Sequence, residues 1–165
     1  MLKRSCFLIA AIVSVQATCN YTFKDVSIPP EVKTVSVQYI ENRARYINPQ
    51  LSPQLTDRLR QKITGQTRLT IINGDDAHYD IGGYITDFSV NTSGISGSQA
   101  SSNNLNVTVH IIFKNRLDEK KDFETDITRN FPFSASISFT DAQNRLMDDI
   151  LKNVSDDSFN KVFSN

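Results

Sequence analysis

The chain has no tryptophan, and only two cysteines, two histidines, two methionines, five prolines and six glycines among 165 residues. Scarce glycine and proline exclude a collagen-like or low-complexity chain. No period of self-similarity points to a repeat architecture. His78 and His110 are the only histidines, and neither has a partner at metal-ligand spacing. There is no glycine-rich phosphate loop and no nucleophile elbow. Asp75-Asp76 follows Asn73-Gly74 and reads as a turn, not as an acid–base pair. The expectation is a protein without a catalytic role, a metal or a cofactor. An excess of charge of one sign is missing too, since Lys plus Arg and Asp plus Glu each number 18. Such a balance gives no global attraction for nucleic acid, so any polyanion must be held by a local patch.

The apolar run at residues 7–15 (FLIAAIVSV) is far short of the roughly 20 residues a membrane span needs. Lys3 and Arg4 precede it and small residues follow, which is the layout of a secretory signal peptide. The run ends Gln16-Ala17-Thr18-Cys19. A cysteine directly after a short signal resembles a bacterial lipoprotein processing site, where the thiol takes the lipid. The usual pattern has Leu three residues before the cysteine and Gly, Ala or Ser just before it; here Gln16 and Thr18 stand there. Cys6 would be discarded with the signal, leaving Cys19 as the sole mature cysteine and no possible intramolecular disulfide. A triacylated N-terminus anchors firmly where one chain holds weakly. The expected organisation is a lipoprotein signal peptide at 1–18, a lipidated tether at 19–32 and one domain at 33–165. Loss of Lys3 and Arg4 leaves the mature chain two charges to the acidic side.

With 39% hydrophobic residues the mature part can build one core. Ile28-Pro29-Pro30 makes an extended lead-in. Val35, Val37 and Tyr39 share one face of a strand expected over residues 34–40, and 41–45 reads as a polar loop. Leu51, Leu55, Leu59 and Ile63 recur every four residues, predicting a helix from near Ser52 to a stop at Gly65. A short strand follows at 69–72, then a longer one at 79–90. Its face parity changes across Gly82-Gly83, so a bulge is expected there. Residues 91–104 are nearly all Gly, Ser, Asn, Thr and Gln and read as a long, mobile hairpin loop. Leu105, Val107, Val109, Ile111 and Phe113 alternate with Asn106, Thr108 and His110 in the clearest strand of the chain. After a charged turn at 116–121, Phe123, Thr125 and Ile127 open a last strand running towards Phe133. A capping box Thr140-x-x-Gln143 starts a second helix bearing Ala142, Leu146, Ile150 and Val154, and Asp156-Asp157 interrupts it. The expected fold class is α+β, with two helices packed on one face of a mostly antiparallel four-stranded sheet.

Several stretches look familiar together. Ile28-Pro29-Pro30-Glu31-Val32-Lys33-Thr34-Val35 leads into the first strand, and Asn48-Pro49-x-Leu51-Ser52-x-x-Leu55-Thr56-x-x-Leu59 opens the first helix. Tyr84-Ile85-Thr86-Asp87-Phe88 follows the glycine pair, and Lys120-Lys121-Asp122-Phe123-Glu124 opens the last strand. In this order they resemble the LptE-family lipopolysaccharide-assembly lipoproteins, in the branch found in Bacteroidota. The resemblance implies an outer-membrane lipoprotein, without covalent chemistry, that plugs and helps assemble an LptD-type β-barrel and assists delivery of lipopolysaccharide to the outer leaflet. It carries over only Cys19, as the lipidated residue. No acidic export tag stands next to that cysteine, since Lys24-Asp25 falls several residues later, so the anchor is expected on the periplasmic side. The polar 91–104 loop is a candidate to enter the barrel lumen.

Lipopolysaccharide is phosphorylated, and arginine is suited to forked contacts with phosphate. Arg43 and Arg45 are the proposed contacts; Arg58 and Lys62 on the first helix, and Lys114 and Arg116 at a strand end, are further candidates. The competing reading, a solvated face or a charged turn, is the commoner one for each of them. The alternative function is a periplasmic-facing lipoprotein scaffold, or a pilot protein for another outer-membrane barrel or secretion pore.

Overall fold

The computed structural model describes residues 28–96 and 99–164. The signal peptide, Cys19 and most of the tether lie outside the described residues. Within them the chain forms β1 (Thr34–Val37), β2 (Glu41–Asn42), α1 (Leu51–Gln66), β3 (Thr70–Ile71), β4 (Tyr79–Ser96), β5 (Gln99–Asn115), a 3-10 turn (Glu119–Lys121), β6 (Phe123–Ser134) and α2 (Phe139–Phe163).

The expected helices form where the apolar stripes predicted them. Leu51, Leu55, Leu59 and Ile63 are all 1% exposed or less. Asn48 holds the start of α1, its side-chain oxygen accepting from the Gln50 N–H at 2.9 Å. The stop is Thr67, whose N–H and hydroxyl both reach the Ile63 carbonyl, and Gly65 lies inside the last turn. The start of α2 differs from expectation. Ser138 caps it, accepting from the Asp141 N–H at 3.1 Å, while Gln143 is buried and accepts from the Asn48 side chain at 2.9 Å. Asp156-Asp157 does not interrupt α2. Both acids have cations to meet: Lys62 donates to Asp156 at 2.6 Å, and Arg129 of β6 pairs with Asp157.

The sheet corrects the expected one. It has six strands and is mixed, in the order β3-β1-β4-β5-β6, with β2 also on β4. β1 runs parallel to both β3 and β4, and β2 parallel to β4; the β4–β5 and β5–β6 pairs are antiparallel. The cause is the β1–α1–β3 crossover, since a helical return brings the next strand back in the same direction. The expected polar loop at 41–45 contributes β2, which extends the line of β1 along β4.

The bulge also moves. Gly82 and Gly83 pair in register with Ile112 and Ile111, and the shift falls between Ile85 and Asp87. Ile85 therefore keeps the buried parity of Tyr79 and Ile81, and Phe88 takes it over after the extra residue. Gly83 has a different reason to be glycine: its φ is +156°, and a Cβ there would stand 2.1 Å from the His110 carbonyl oxygen. The expected loop at 91–104 is largely ladder. Asn91 pairs with Asn104, Thr92 with Asn103 and Ser96 with Gln99. Backbone pairing continues a hairpin whatever its side chains, so a polar stretch can still be strand.

Both helices cover one face of the sheet. Leu105, Val107, Val109, Ile111 and Phe113 of β5 join the helix stripes in one core with Val35, Ile81, Ile85, Phe88, Ile150 and Val154. At about 25 cal/mol per Å² of apolar surface this face supplies the main driving force for folding. No helix among the described residues is long and apolar enough to cross a membrane.

Candidate functional site

The opposite face of the sheet carries a polar row running from β2 to β6. Register places Glu41 beside Tyr84, Tyr84 beside His110, and His110 beside Asp126. The Arg43 guanidinium lies 4.2 Å from the Tyr84 ring centre and donates to Glu41 at 2.8 Å and 3.0 Å. Tyr84 and His110 approach with ring centres 5.0 Å apart. The two ring nitrogens of His110 then meet two carboxylates, Nδ1 at 2.7 Å from Asp126 and Nε2 at 3.3 Å from Glu124. The Asp126 hydrogen bond, aided by Glu124 and by both negative charges, raises the His110 pKa above its ordinary value. A threonine rung follows, with the Thr108 and Thr128 hydroxyls 3.0 Å apart.

A second feature lies at the rim of the covered face. Arg45, Tyr46, Phe88, Ser89, Val90 and Phe139 line an open concavity of about 430 Å³. Tyr46 stacks on Phe88 at 5.9 Å and meets Phe139 edge-on at 5.0 Å. Of these lining residues Tyr46 and Val90 are 44% and 37% exposed, and Ile47, next to Tyr46 in the chain, is 64% exposed. Another concavity, about 410 Å³, lies at the opposite end, where Pro29 brings the lead-in against Tyr79, Phe113, Phe123 and Phe163. From Tyr79 to Phe88 along β4 is roughly 30 Å at the ordinary strand rise.

The structure separates the two proposed contacts. Arg43 is committed to Glu41 and Tyr84 on the open face. Arg45 lines the aromatic concavity and makes no ion pair among the described residues. Of the further candidates, Arg58 and Lys62 share a shallow groove with Lys152 between the helices, but Lys62 is tied to Asp156. Arg116 is paired with Asp75 and Asp80, at 3.3 Å and 3.6 Å. Lys114 is exposed at the open end of β5. Sequence reading missed the aromatic concavity, because Tyr46 belongs to no regular element and Phe139 precedes the expected helix. It also missed the His110 clamp, whose partners lie 14 and 16 residues away and meet it only through strand register. Among the described residues no cluster of histidine, cysteine and carboxylates has the arrangement of a metal site.

Two helices over one face of a mixed sheet, with a polar open face and a long hairpin, define an α+β class found in solved bacterial lipoproteins. A minor lipoprotein from Acinetobacter baumannii superposes with a TM-score of 0.51 at 15% identity, over 77% of this chain and 89% of that one. Rare lipoprotein B from Shewanella oneidensis gives 0.50 at 11% identity, over 78% and 89%. A protein from Xanthomonas campestris gives 0.57 at 11% identity, over 82% and 88%. At these identities the likeness is one of fold. No curated protein matches the sequence. The family model for LptE, described as lipopolysaccharide-assembly, matches residues 32–162. The chain belongs to the LptE lipopolysaccharide-assembly family, whose members are outer-membrane lipoproteins.

Proposed function

We propose that this chain acts within lipopolysaccharide assembly as the lipoprotein partner of an LptD-type β-barrel, plugging it, aiding its assembly and helping to deliver lipopolysaccharide to the outer leaflet. It works by binding, without covalent chemistry of its own. Cys19 carries the lipid, and the anchor sits in the periplasmic leaflet of the outer membrane. Within the family we place the chain in the Bacteroidota branch, on the sequence stretches quoted above.

One observation carries the ligand side of this reading: the aromatic concavity with Arg45 on its wall. The exposed Tyr46 ring and half-buried Phe139, set on buried Phe88 beside an uncommitted guanidinium, suit an amphiphile, with hydrocarbon against Tyr46 and Phe139 and phosphate at Arg45. Arg43, already paired, contributes through the open face instead. The hairpin beyond Asn91 is polar, and we assign it to the barrel lumen.

Affinity purification of a C-terminally tagged chain from detergent-solubilised outer membranes, with mass spectrometry, tests the partnership. A near-stoichiometric LptD-type barrel supports it. A different barrel or secretion pore moves the assignment to a pilot protein. A photo-crosslinking residue in place of Tyr46 tests the ligand: crosslinked lipopolysaccharide that disappears with Arg45→Ala supports the site, and no crosslink removes it.

A further inference from the structure

We infer that His110 is a proton-controlled latch that fastens the outer edge strand β6 to the rest of the sheet. Among the described residues β6 is the last strand of the sheet and pairs only with β5. Its ladder runs from Phe123 to Ser134 opposite β5. At one place on the open face this ladder is reinforced by ionisable side chains. There the imidazole bridges two carboxylates of β6, Asp126 through Nδ1 and Glu124 through Nε2, with its side chain only 18% exposed.

The protonation state decides how many of these bonds exist. Imidazolium donates from both ring nitrogens, so it satisfies Asp126 and Glu124 together. Neutral imidazole donates from one nitrogen only, and its other nitrogen presents a lone pair to a carboxylate oxygen. Asp126, at 2.7 Å, keeps the remaining proton; Glu124, at 3.3 Å, is the contact that opens. Loss of the proton also removes the positive charge between two carboxylates two residues apart on one strand.

The surrounding charges do not replace it. On the β4 side Tyr84 separates His110 from Arg43, and Arg43 is neutralised by Glu41. On the same strand Asp80 is engaged by Arg116 and by the Gln38 side chain, and Asp87, a carboxylate opposite Thr108, accepts from the Ser89 hydroxyl and adds no cation. Along β5 itself Lys114 stands opposite Asp80 in strand register, four residues from His110. The helices pack on the other face. Deprotonation therefore leaves Asp126 and Glu124 repelling each other at the start of β6, beside the 3-10 turn. The latch releases that end and makes the open face more acidic, so an anionic partner on this face would be held at low pH and repelled at high pH.

Amide hydrogen exchange on the full mature chain reads this directly. Protection of the Glu124–Thr128 amides, after correction for intrinsic rates, is measured between about pH 5.5 and about pH 8.5. The expected result is a several-fold loss of protection in the wild type as pH rises, confined to this end of β6 while the β4–β5 pair stays unchanged. His110→Gln should be flat over the same range, and Asp126→Asn should lower the midpoint. An NMR titration of His110 supplies a readout independent of any variant, with its midpoint above the ordinary histidine value. Equal pH dependence in wild type and His110→Gln, or a His110 midpoint at or below the ordinary histidine range, would overturn the latch.

Discussion

The two faces of β5 differ in almost every physical respect. On one, Leu105, Val107, Val109 and Ile111 are completely buried beneath the helices. On the other, the Thr108 and His110 side chains bond to β6 and, with Asn106, remain partly open to water. One backbone thus serves two purposes that alternate residue by residue. Damage to the covered face should be read as lost stability, and damage to the open face or rim as lost binding or altered pH response.

The largest expected effect comes from the covered side. Phe159 is 2% exposed and packs 4.8 Å, ring to ring, from Phe163. Phe159→Ala should cost about 3–5 kcal/mol in unfolding free energy by chemical denaturation. Next comes Gly83, where the faces cannot be separated. Its missing Cβ lets the His110 carbonyl approach, so Gly83→Ala must displace β5 backbone and should cost roughly 2–4 kcal/mol. Loss of the Ser138 cap is smaller. Ser138→Ala should cost about 1 kcal/mol, whereas Thr140→Ala, which removes the residue expected to cap, should be close to neutral in the same titration.

These three sites also show what sequence alone can reveal. Periodicity found α1, β5 and the stripe of α2, because burial against a single core imposes a period of nearly four or of two. It could not find strand direction, since Val35 and Val37 alternate identically in a parallel or an antiparallel pair. The bulge was misplaced for a related reason: Gly82-Gly83 is a conspicuous breaker, yet the shift falls after Ile85, where no residue type advertises it. At the site, reading by residue type chose Arg43 and Arg45 together. Whether a guanidinium is free depends on what stands beside it in the fold: Arg43 has Tyr84 on the neighbouring strand and Glu41 two residues before it, and Arg45 meets neither.

On the open face the expected effect is pH-dependent. The fold favours protonated His110, because Asp126 and Glu124 accept from it. Its contribution is therefore fully present below the ordinary histidine value of 6.5 and fades as pH rises through the higher folded value. Denaturation midpoints measured across that window should fall with pH in the wild type and stay level in His110→Gln. A midpoint that rose with pH would show that the carboxylates, not the histidine, dominate this part of the sheet.

The smallest effect on stability should come from Arg45→Ala. Arg45 is exposed and has no ion pair among the described residues, so its removal should change unfolding free energy by no more than about 0.5 kcal/mol. Its guanidinium nevertheless stands beside Tyr46, Phe88 and Phe139, and a phosphate bound there would lose its charge-assisted partner. Arg43→Ala makes the matched control. That change strips a cation from Tyr84 and leaves Glu41 unpaired, so it should disturb the open face while sparing capture at the concavity. If Arg45→Ala retained full lipopolysaccharide capture and Arg43→Ala abolished it, the open face would be the binding surface and the rim only an uncovered edge of the core.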